Sequence, residues 1–297
     1  MNLTLGKNIL LEEYKVLIFN KINNLTAHLE RVRLPDKKIG FVPTMGALHQ
    51  GHISLVEKAK KENDLVVVSI FVNPSQFNNP DDLKNYPRTP VEDHLLLDKN
   101  KADIIFSPPV EEINNYSNTK KINSDLGNLA NVMEGIHRPG HFDGVVQIVS
   151  RLFDIVKPGR AYFGEKDFQQ LTIIKLMTDK LKYPVEIIAC PTVREESGLA
   201  MSSRNLKLSE EGLKNAAEIS MVLNYVKDNH GKFPVDILIK LATQMIESSG
   251  KLKVEYLEIA DEETLQPVQS WEQYKHVRCF AAVYCEGVRL IDNVQLF

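Results

Sequence analysis

From residue 38 onward, short and nearly unbroken apolar runs alternate with longer stretches in which apolar residues recur every three or four positions. Lys38–Pro43 and Leu65–Val72 (LVVVSIFV) are runs of the first kind, and the second of them is rich in β-branched residues. That is the pattern of strands buried on both faces. Gly51–Glu62, with Ile53, Leu55, Val56 and Ala59 in helical register, belongs to the second kind. Thr89-Pro90-Val91-Glu92 opens another helix: Thr89 can cap, Pro90 suits the first helical position, and Glu92 can reach back. Asp103–Phe106 reads as a short strand closed by Pro108-Pro109, and Gly144–Val156 as an amphipathic helix stopped by Lys157-Pro158-Gly159. Arg160–Phe163 (strand), Asp167–Leu181 (helix) and Val185–Ala189 (strand) continue the alternation. Residues 1–34 read as helical with one polar face, ending at the turn Leu34-Pro35-Asp36.

Strands alternating with helices at this spacing predict a parallel sheet with right-handed crossovers. Beyond Pro191 the character changes. Ser209 can cap a long helix with Glu210 and Glu211 in its first turn, and a second helix covers about Pro234–Ser248. Three strand candidates follow, Lys253–Ile259, His276–Cys285 and Val288–Val294, the last two joined by the tight turn Glu286-Gly287. The expected fold is therefore α/β: a Rossmann-like, doubly wound parallel sheet over residues 1–191, with a second, smaller α+β domain over residues 192–297.

Composition narrows the function classes. With 297 residues, 43% hydrophobic and 25% charged, the chain is an ordinary globular one that can bury a full core. A formal net charge of −3 provides no general basic field, so a nucleic-acid partner is not expected. No apolar run approaches the ~20 residues that span a bilayer, and MNLTLGKNILLEEYKVLIF lacks the layout of a signal peptide. Cys190, Cys279 and Cys285 are odd in number, scattered and without CxxC, which fits a reducing cytoplasm and core thiols.

In open α/β sheets ligands bind outside the carboxyl ends of the strands, so the chemistry is sought in the loops after each strand. The first strand is followed by TMGALHQGH, the second by NPSQF with Asn73 and Gln76, and the strand RAYF by GEKDFQQ with Glu165, Lys166, Asp167, Gln169 and Gln170. After Ala189 comes PTVREESGLAMSSRN, with Ser202, Ser203 and Arg204. Four unusually polar exit loops of one parallel sheet would meet on one face. In TMGALHQGH, Met45-Gly46 reads as a flexible strand exit, and Gly51 lets backbone approach a ligand. A helix starting near His49 would put His49 and His52 on one face at its N-terminal end, where free N–H groups favour anions. Phosphate handling is the first reading, ordinary structural histidines the second. A metal is the weakest, since HxxH here lacks both a third ligand and the metalloprotease Glu.

The other loops carry paired readings as well. Lys166 is either a solvated helix-start residue or a point charge for phosphate oxygens, with Asp167 an acceptor for a ribose hydroxyl. Ser202, Ser203 and Arg204 either precede a capped helix or wrap a polyphosphate. Gln76 and Gln170 either satisfy backbone groups or read the hydroxyls of a small polyhydroxy acid. Glu134–Asp143 (EGIHRPGHFD), with His137, Arg138 and His141, fits an acid-binding loop or lid as well as a plain Gly/Pro turn.

PTMGALHQGH, FVNPSQF, YPRT (Tyr86–Thr89), RPGHFDGV, FGEKDFQQL and GLAMSSRN, in that order, resemble the pantoate–β-alanine ligase family within the HxGH nucleotidyltransferase superfamily. These motifs span Pro43–Asn205; the remainder matches in length and α+β character. The resemblance implies a two-step, ATP-dependent reaction: pantoate attacks the α-phosphate to give pantoyl adenylate and pyrophosphate, and β-alanine then displaces AMP. It implies an ATP site made by Met45, Gly46, Ala47, Leu48, His49, Gln50, Gly51 and His52, by Gly164, Glu165, Lys166 and Asp167, by Val193, and by Met201, Ser202, Ser203 and Arg204. It makes His52 the proton-donor position and His49 its phosphate-binding neighbour, with Lys166 beside them in the catalytic set, and gives Gln76 and Gln170 to pantoate, Gln76 lying near β-alanine as well. Mg²⁺ on the triphosphate and a homodimer are implied too. No pattern chooses the Mg²⁺ ligands, although Glu92 and Asp93 are candidates. Two features depart from the family pattern: Gln147 stands where GVxTVV would place a small hydroxyl residue, and the segment before Met45 is longer than usual. Against this stand a different HxGH acid:amine ligase, a tRNA-binding synthetase-like protein and an inactive nucleotide sensor.

Overall fold

The computed structural model describes residues 15–34, 36–116 and 126–297. Six strands, β1 (Leu17–Phe19), β2 (Ile39–Thr44), β3 (Leu65–Ile70), β4 (Ile104–Phe106), β5 (Arg160–Gly164) and β6 (Glu186–Cys190), form one parallel sheet in the order β1-β4-β3-β2-β5-β6. From β2 the chain winds outward through β3 to β4, then returns to place β5 on the other side of β2. The order of strands thus reverses between β2 and β5, which sets the crevice at their carboxyl ends.

Alternation within the strands explains why helices cover both faces. Phe41 and Val67 point into a core shared with the helices Ile22–Val32, His141–Val156 and Phe168–Lys180. Val42, Val66 and Val68 point the other way, against Gln50–Glu62 and Pro90–Lys99. Helix His141–Val156 buries 12 of its 16 residues, so it acts as a central pillar rather than a surface helix. Truncating Phe153, fully enclosed there, would cost about 3–5 kcal/mol.

The second region is built from β7 (Leu252–Asp261), β8 (Val277–Cys285) and β9 (Val288–Gln295), an antiparallel sheet in chain order, backed by helices Glu210–Asn229 and Val235–Glu247. Ser209 caps the first of these helices by accepting from the Gly212 N–H, as its position predicts. The α/β sheet and the smaller α+β unit match the expected fold class. Met133, Ala260, Leu265 and Phe280 form a small apolar cluster between the two regions.

Two expectations are corrected. Within the stretch expected to be helical, Leu17–Phe19 is instead an edge strand paired with β4, and only Ile22–Val32 is helix; residues 1–14 and Pro35 lie outside the described residues. A three-residue strand is too short for its period to be told from a helix turn. Thr89 does not cap with a Glu92 reach-back. Its hydroxyl donates to Asp93 Oδ1 at 3.1 Å, and Glu92 is exposed. Gln147 also faces solvent, so no role in the interior attaches to it.

Candidate active site

The loop after β2 is clamped rather than flexible. Asp93, 2% exposed, accepts from the Ala47 N–H at 2.9 Å and the Leu48 N–H at 2.7 Å, while the Thr44 hydroxyl accepts from the Gly46 N–H. These bonds hold Ala47 at a φ of 48°, a left-handed conformation that a non-glycine residue keeps only when its surroundings impose it. With both oxygens engaged and almost no exposure, Asp93 is a structural carboxylate, not a ready Mg²⁺ ligand.

His49 then caps helix Gln50–Glu62. Its Nδ1 accepts from the Gly51 N–H at 3.1 Å, and His52 Nδ1 accepts from the His49 N–H at 3.3 Å. The reason for glycine at 51 is steric: a Cβ there would stand 2.9 Å from the His49 ring. This reciprocal cap alters the expected chemistry. Two backbone N–H groups at the helix start are already taken, so the helix end offers imidazole Nε2–H donors in their place. Because Nδ1 accepts in both rings, the tautomer of each carries its proton on Nε2. The ring centroids are 4.0 Å apart. Burial, reinforced by Lys166, lowers His49 to about 4. Burial, then His49 and Lys166, pushes His52 well below its ordinary value. Both are neutral donors at pH 7.

β5 ends at Gly164, and a single 3-10 turn, Glu165–Asp167, presents Lys166 beside the histidines. Its ammonium is 3.7 Å from the Asp167 carboxylate. From the loop after β6, the Ser203 hydroxyl donates to the Ala47 carbonyl at 2.9 Å, tying this exit loop to that of β2. Ser202 caps its own turn by accepting from the Arg204 N–H. Arg204 pairs with Asp82 at 2.8 Å and lies over the Tyr86 ring.

Gln76 closes a 3-10 turn after β3 and is 8% exposed. The turn sits against helix His141–Val156 at Gly144, where a Cβ would come within 2.4 Å of the Ser75 carbonyl. Asn73 serves this packing, donating to the Gly144 carbonyl at 3.1 Å. The Gln76 carbonyl accepts from His141 Nδ1 at 2.9 Å and Arg138 at 3.3 Å. His141 is lowered to about 4, first by burial and then by Arg138, so it donates as a neutral ring.

A cavity of about 200 Å³ opens where these loops meet. It brings together Met45, His49, Gly51, His52, Gln76, Gly164, Lys166, Asp167, Gln170, Val193, Met201, Ser202, Ser203 and Arg204, with an apolar wall of Phe71, Val145, Val149 and Phe163. Gly46, Ala47, Leu48, Gln50 and Glu165 do not line it: Ala47 and Leu48 serve the Asp93 clamp, Gln50 is exposed, and Glu165 turns toward Arg278 at 3.9 Å. A second polar cavity of about 230 Å³ shares Lys166, Asp167, Ser202 and Arg204 and continues past Arg138, Lys207 and Arg289.

Sequence reasoning left Glu134 without a role. It is 6% exposed and accepts from Arg289 through both oxygens, at 2.9 and 2.6 Å, from Tyr256 at 2.8 Å and from Arg138 at 3.2 Å. Burial alone would raise its pKa, but Arg289, followed by Arg138, overrides that and brings the carboxyl down to about 2. No spacing in the sequence could announce this, because Tyr256 and Arg289 lie 122 and 155 residues away. Asp82, paired with Arg204 and Lys207, was likewise invisible.

The chain is similar to proteins already known. A sequence model of the pantoate-beta-alanine ligase family matches residues 17–295. The chain is 48% identical to the pantothenate synthetase of Bacteroides thetaiotaomicron and 45% identical to that of Porphyromonas gingivalis. Each alignment covers 94% of this chain and 98% of the relative. Among solved structures it resembles the pantothenate synthetase of Thermus thermophilus, with a TM-score of 0.87 at 40% identity over 95% of this chain and all of that one. It also resembles the pantoate-beta-alanine ligase of Francisella tularensis, solved in complex with beta-gamma ATP and beta-alanine. There the TM-score is 0.79 at 38% identity, over 94% and 97% of the two chains.

Proposed function

The chain belongs to the pantoate-beta-alanine ligase family, and from that premise we infer how its cavity makes the bond. The protein is an ATP-dependent ligase that joins pantoate to β-alanine. The observation that carries the mechanism is the meeting, at the β2–β5 crevice, of neutral imidazole donors, a lysine and two glutamines in one cavity.

We propose that the pantoate carboxylate oxygen bonds to the α-phosphorus of ATP as the bond to the β-phosphate oxygen breaks, releasing pyrophosphate. The neutral amine of β-alanine then bonds to the acyl carbon, AMP leaves with the electron pair of the broken C–O bond, and the extra proton of the amine passes to the phosphate of the departing AMP. Such steps ask the protein for position and charge, not for a covalent nucleophile. Lys166 and Arg204 supply positive charge to the phosphate oxygens, and the Nε2–H groups of His49 and His52 supply hydrogen bonds. Since His52 is neutral and its Nδ1 is occupied, it acts as a hydrogen-bond donor rather than as an imidazolium acid. The amides of Gln76 and Gln170 read the hydroxyls of pantoate, and the apolar wall takes its methyl groups. Met201, Val193 and the Ser202–Ser203 pair complete the nucleotide side.

Among the described residues no group of three or more His, Cys, Asp or Glu stands close enough to hold a metal ion. The described residues do not by themselves form a Mg²⁺ site, and in this reading Mg²⁺ arrives on the triphosphate as part of the substrate. We divide the chain at 191/192 and assign residues 192–297 to closing the cavity, because an acyl adenylate must be shielded from water. A homodimer and a cytoplasmic location belong to the same reading. Among the described residues no helix is long and apolar enough to cross a membrane. The test is pantoate-dependent exchange of pyrophosphate into ATP without β-alanine, run against a panel of other hydroxy acids. Exchange with pantoate no higher than background overturns the proposal.

A further inference from the structure

Lys166 stands on a three-residue 3-10 turn that runs directly into helix Phe168–Lys180, so its backbone carbonyls lie at the very start of that helix. The partners of that turn come from the other sheet. Asn293, on β9 and 4% exposed, donates from Nδ2 to the Glu165 carbonyl at 3.0 Å and the Lys166 carbonyl at 2.8 Å. Its Oδ1 accepts from Arg278 Nη1 at 2.6 Å, so the amide cannot be turned over without losing all three bonds. Arg278 is in turn fixed by Glu262 at 2.8 Å and by the Phe168 ring, 4.0 Å from its guanidinium carbon. The neighbouring Asp292 grips Arg194, in the loop after β6, through both oxygens at 2.7 and 3.0 Å. Two adjacent residues of one antiparallel strand therefore hold the loops that follow β5 and β6.

We propose that Asn293 is a positioning residue for adenylate formation: by holding the carbonyls of Glu165 and Lys166 it sets where the Lys166 ammonium stands relative to the transferred phosphate. This rests on the reading of Lys166 given above. Among the described residues the ammonium has no rigid partner to place it, only the half-exposed Asp167 carboxylate at 3.7 Å, so the backbone anchor decides its location. A misplacement of about 1 Å at such a group costs on the order of 100-fold in rate.

The decisive variant is Asn293→Asp. It keeps the shape and the acceptor for Arg278 but removes both N–H donors and sets an anion against two carbonyl oxygens. Single-turnover pantoyl-adenylate formation is expected to fall about 30- to 100-fold, with the KM for pantoate within about three-fold of the parent. Asn293→Ser keeps one donor and is expected to lose less. It carries the test should the aspartate variant fail to fold, as judged by thermal unfolding. The discriminating measurement is a double-mutant cycle with Lys166→Ala: in that background either Asn293 variant is expected to change the rate less than about three-fold. Adenylate formation unchanged in Asn293→Asp, or a loss that persists in full without Lys166, overturns the inference. If Lys166→Ala itself stays within ten-fold of the parent, the reading of Lys166 fails and takes the inference with it. If Lys166→Ala is crippled and Asn293→Asp is not, the inference alone falls.

Discussion

The six-stranded parallel sheet delivers side chains to the cavity from the ends of its strands, whereas the three-stranded antiparallel sheet mainly holds the loops that carry them. His49, Gln76, Lys166 and Ser202 follow β2, β3, β5 and β6. Arg289, Asp292 and Asn293, all on β9, bind instead to Glu134, to Arg194 and to the backbone of the Lys166 turn. The difference follows from hydrogen-bond geometry. A loop leaving a parallel strand has no ladder for its N–H and C=O groups, and where it is buried those groups need outside partners. The two regions also treat charge in opposite ways. Around the histidines burial and a nearby lysine keep rings neutral, while around Glu134 paired guanidinium groups keep a buried carboxylate charged.

The comparison breaks most visibly at Arg289. Arg289→Ala leaves Glu134 buried with its main partner gone, and should cost about 3–5 kcal/mol of stability, read from the denaturant midpoint. A loss under about 1 kcal/mol would mean that the small sheet does not anchor the 134–138 segment. Next come His52→Ala and Lys166→Ala. Each is expected to slow adenylate formation at least 100-fold, about 3 kcal/mol in the barrier, with the fold retained, although His52→Ala also removes half of the helix cap and should cost about 0.5–2 kcal/mol of stability. A loss below about ten-fold removes that residue from the catalytic set.

Acid titration sharpens the charge contrast. His49 binds its proton near 4 when folded and near 6.5 when unfolded. The unfolded chain therefore takes up the proton first, and stability drains as the pH falls from about 6.5 to 4. Glu134, at about 2 folded against 4.5 unfolded, contributes fully above 4.5 and loses that contribution as the pH falls toward 2. Urea midpoints across this range should show both windows. His52 and His141 are lowered as well and add to the upper one, so His49→Gln should reduce its slope without abolishing it and leave the lower window unchanged. In Lys166→Ala, NMR titration of His49 should move only part of the way back to 6.5, because burial is the larger cause. A complete return would make Lys166 the dominant one. The smallest effect is expected from Gln147→Thr, an exposed change within about 0.5 kcal/mol, with adenylation unaltered.

Most of the architecture was legible because it rests on local pattern. The apolar runs at β2 and β3, the helical register of 51–62 and the stop at Lys157-Pro158-Gly159 act over a few residues, and the structure has them within a residue or two. The edge strand Leu17–Phe19 was not legible, since three residues carry no period. The polar exit loops were visible as loops, and the resemblance gave them roles. Their fine chemistry was not: the neutral histidines, the Asp93 clamp and the commitment of Asn73 to packing depend on burial and distance.

By itself the sequence determined a doubly wound sheet with a smaller α+β unit, a set of polar strand-exit loops, and the family to which they belong. Only the tertiary structure decided which of those residues share a cavity and which side chains hold the loops still. Hydrophobic period and turn chemistry are written in neighbouring residues. The bonds that place Lys166 and Gln76 join residues 127 and 62 positions apart. They exist only after elements far apart in the chain have packed together.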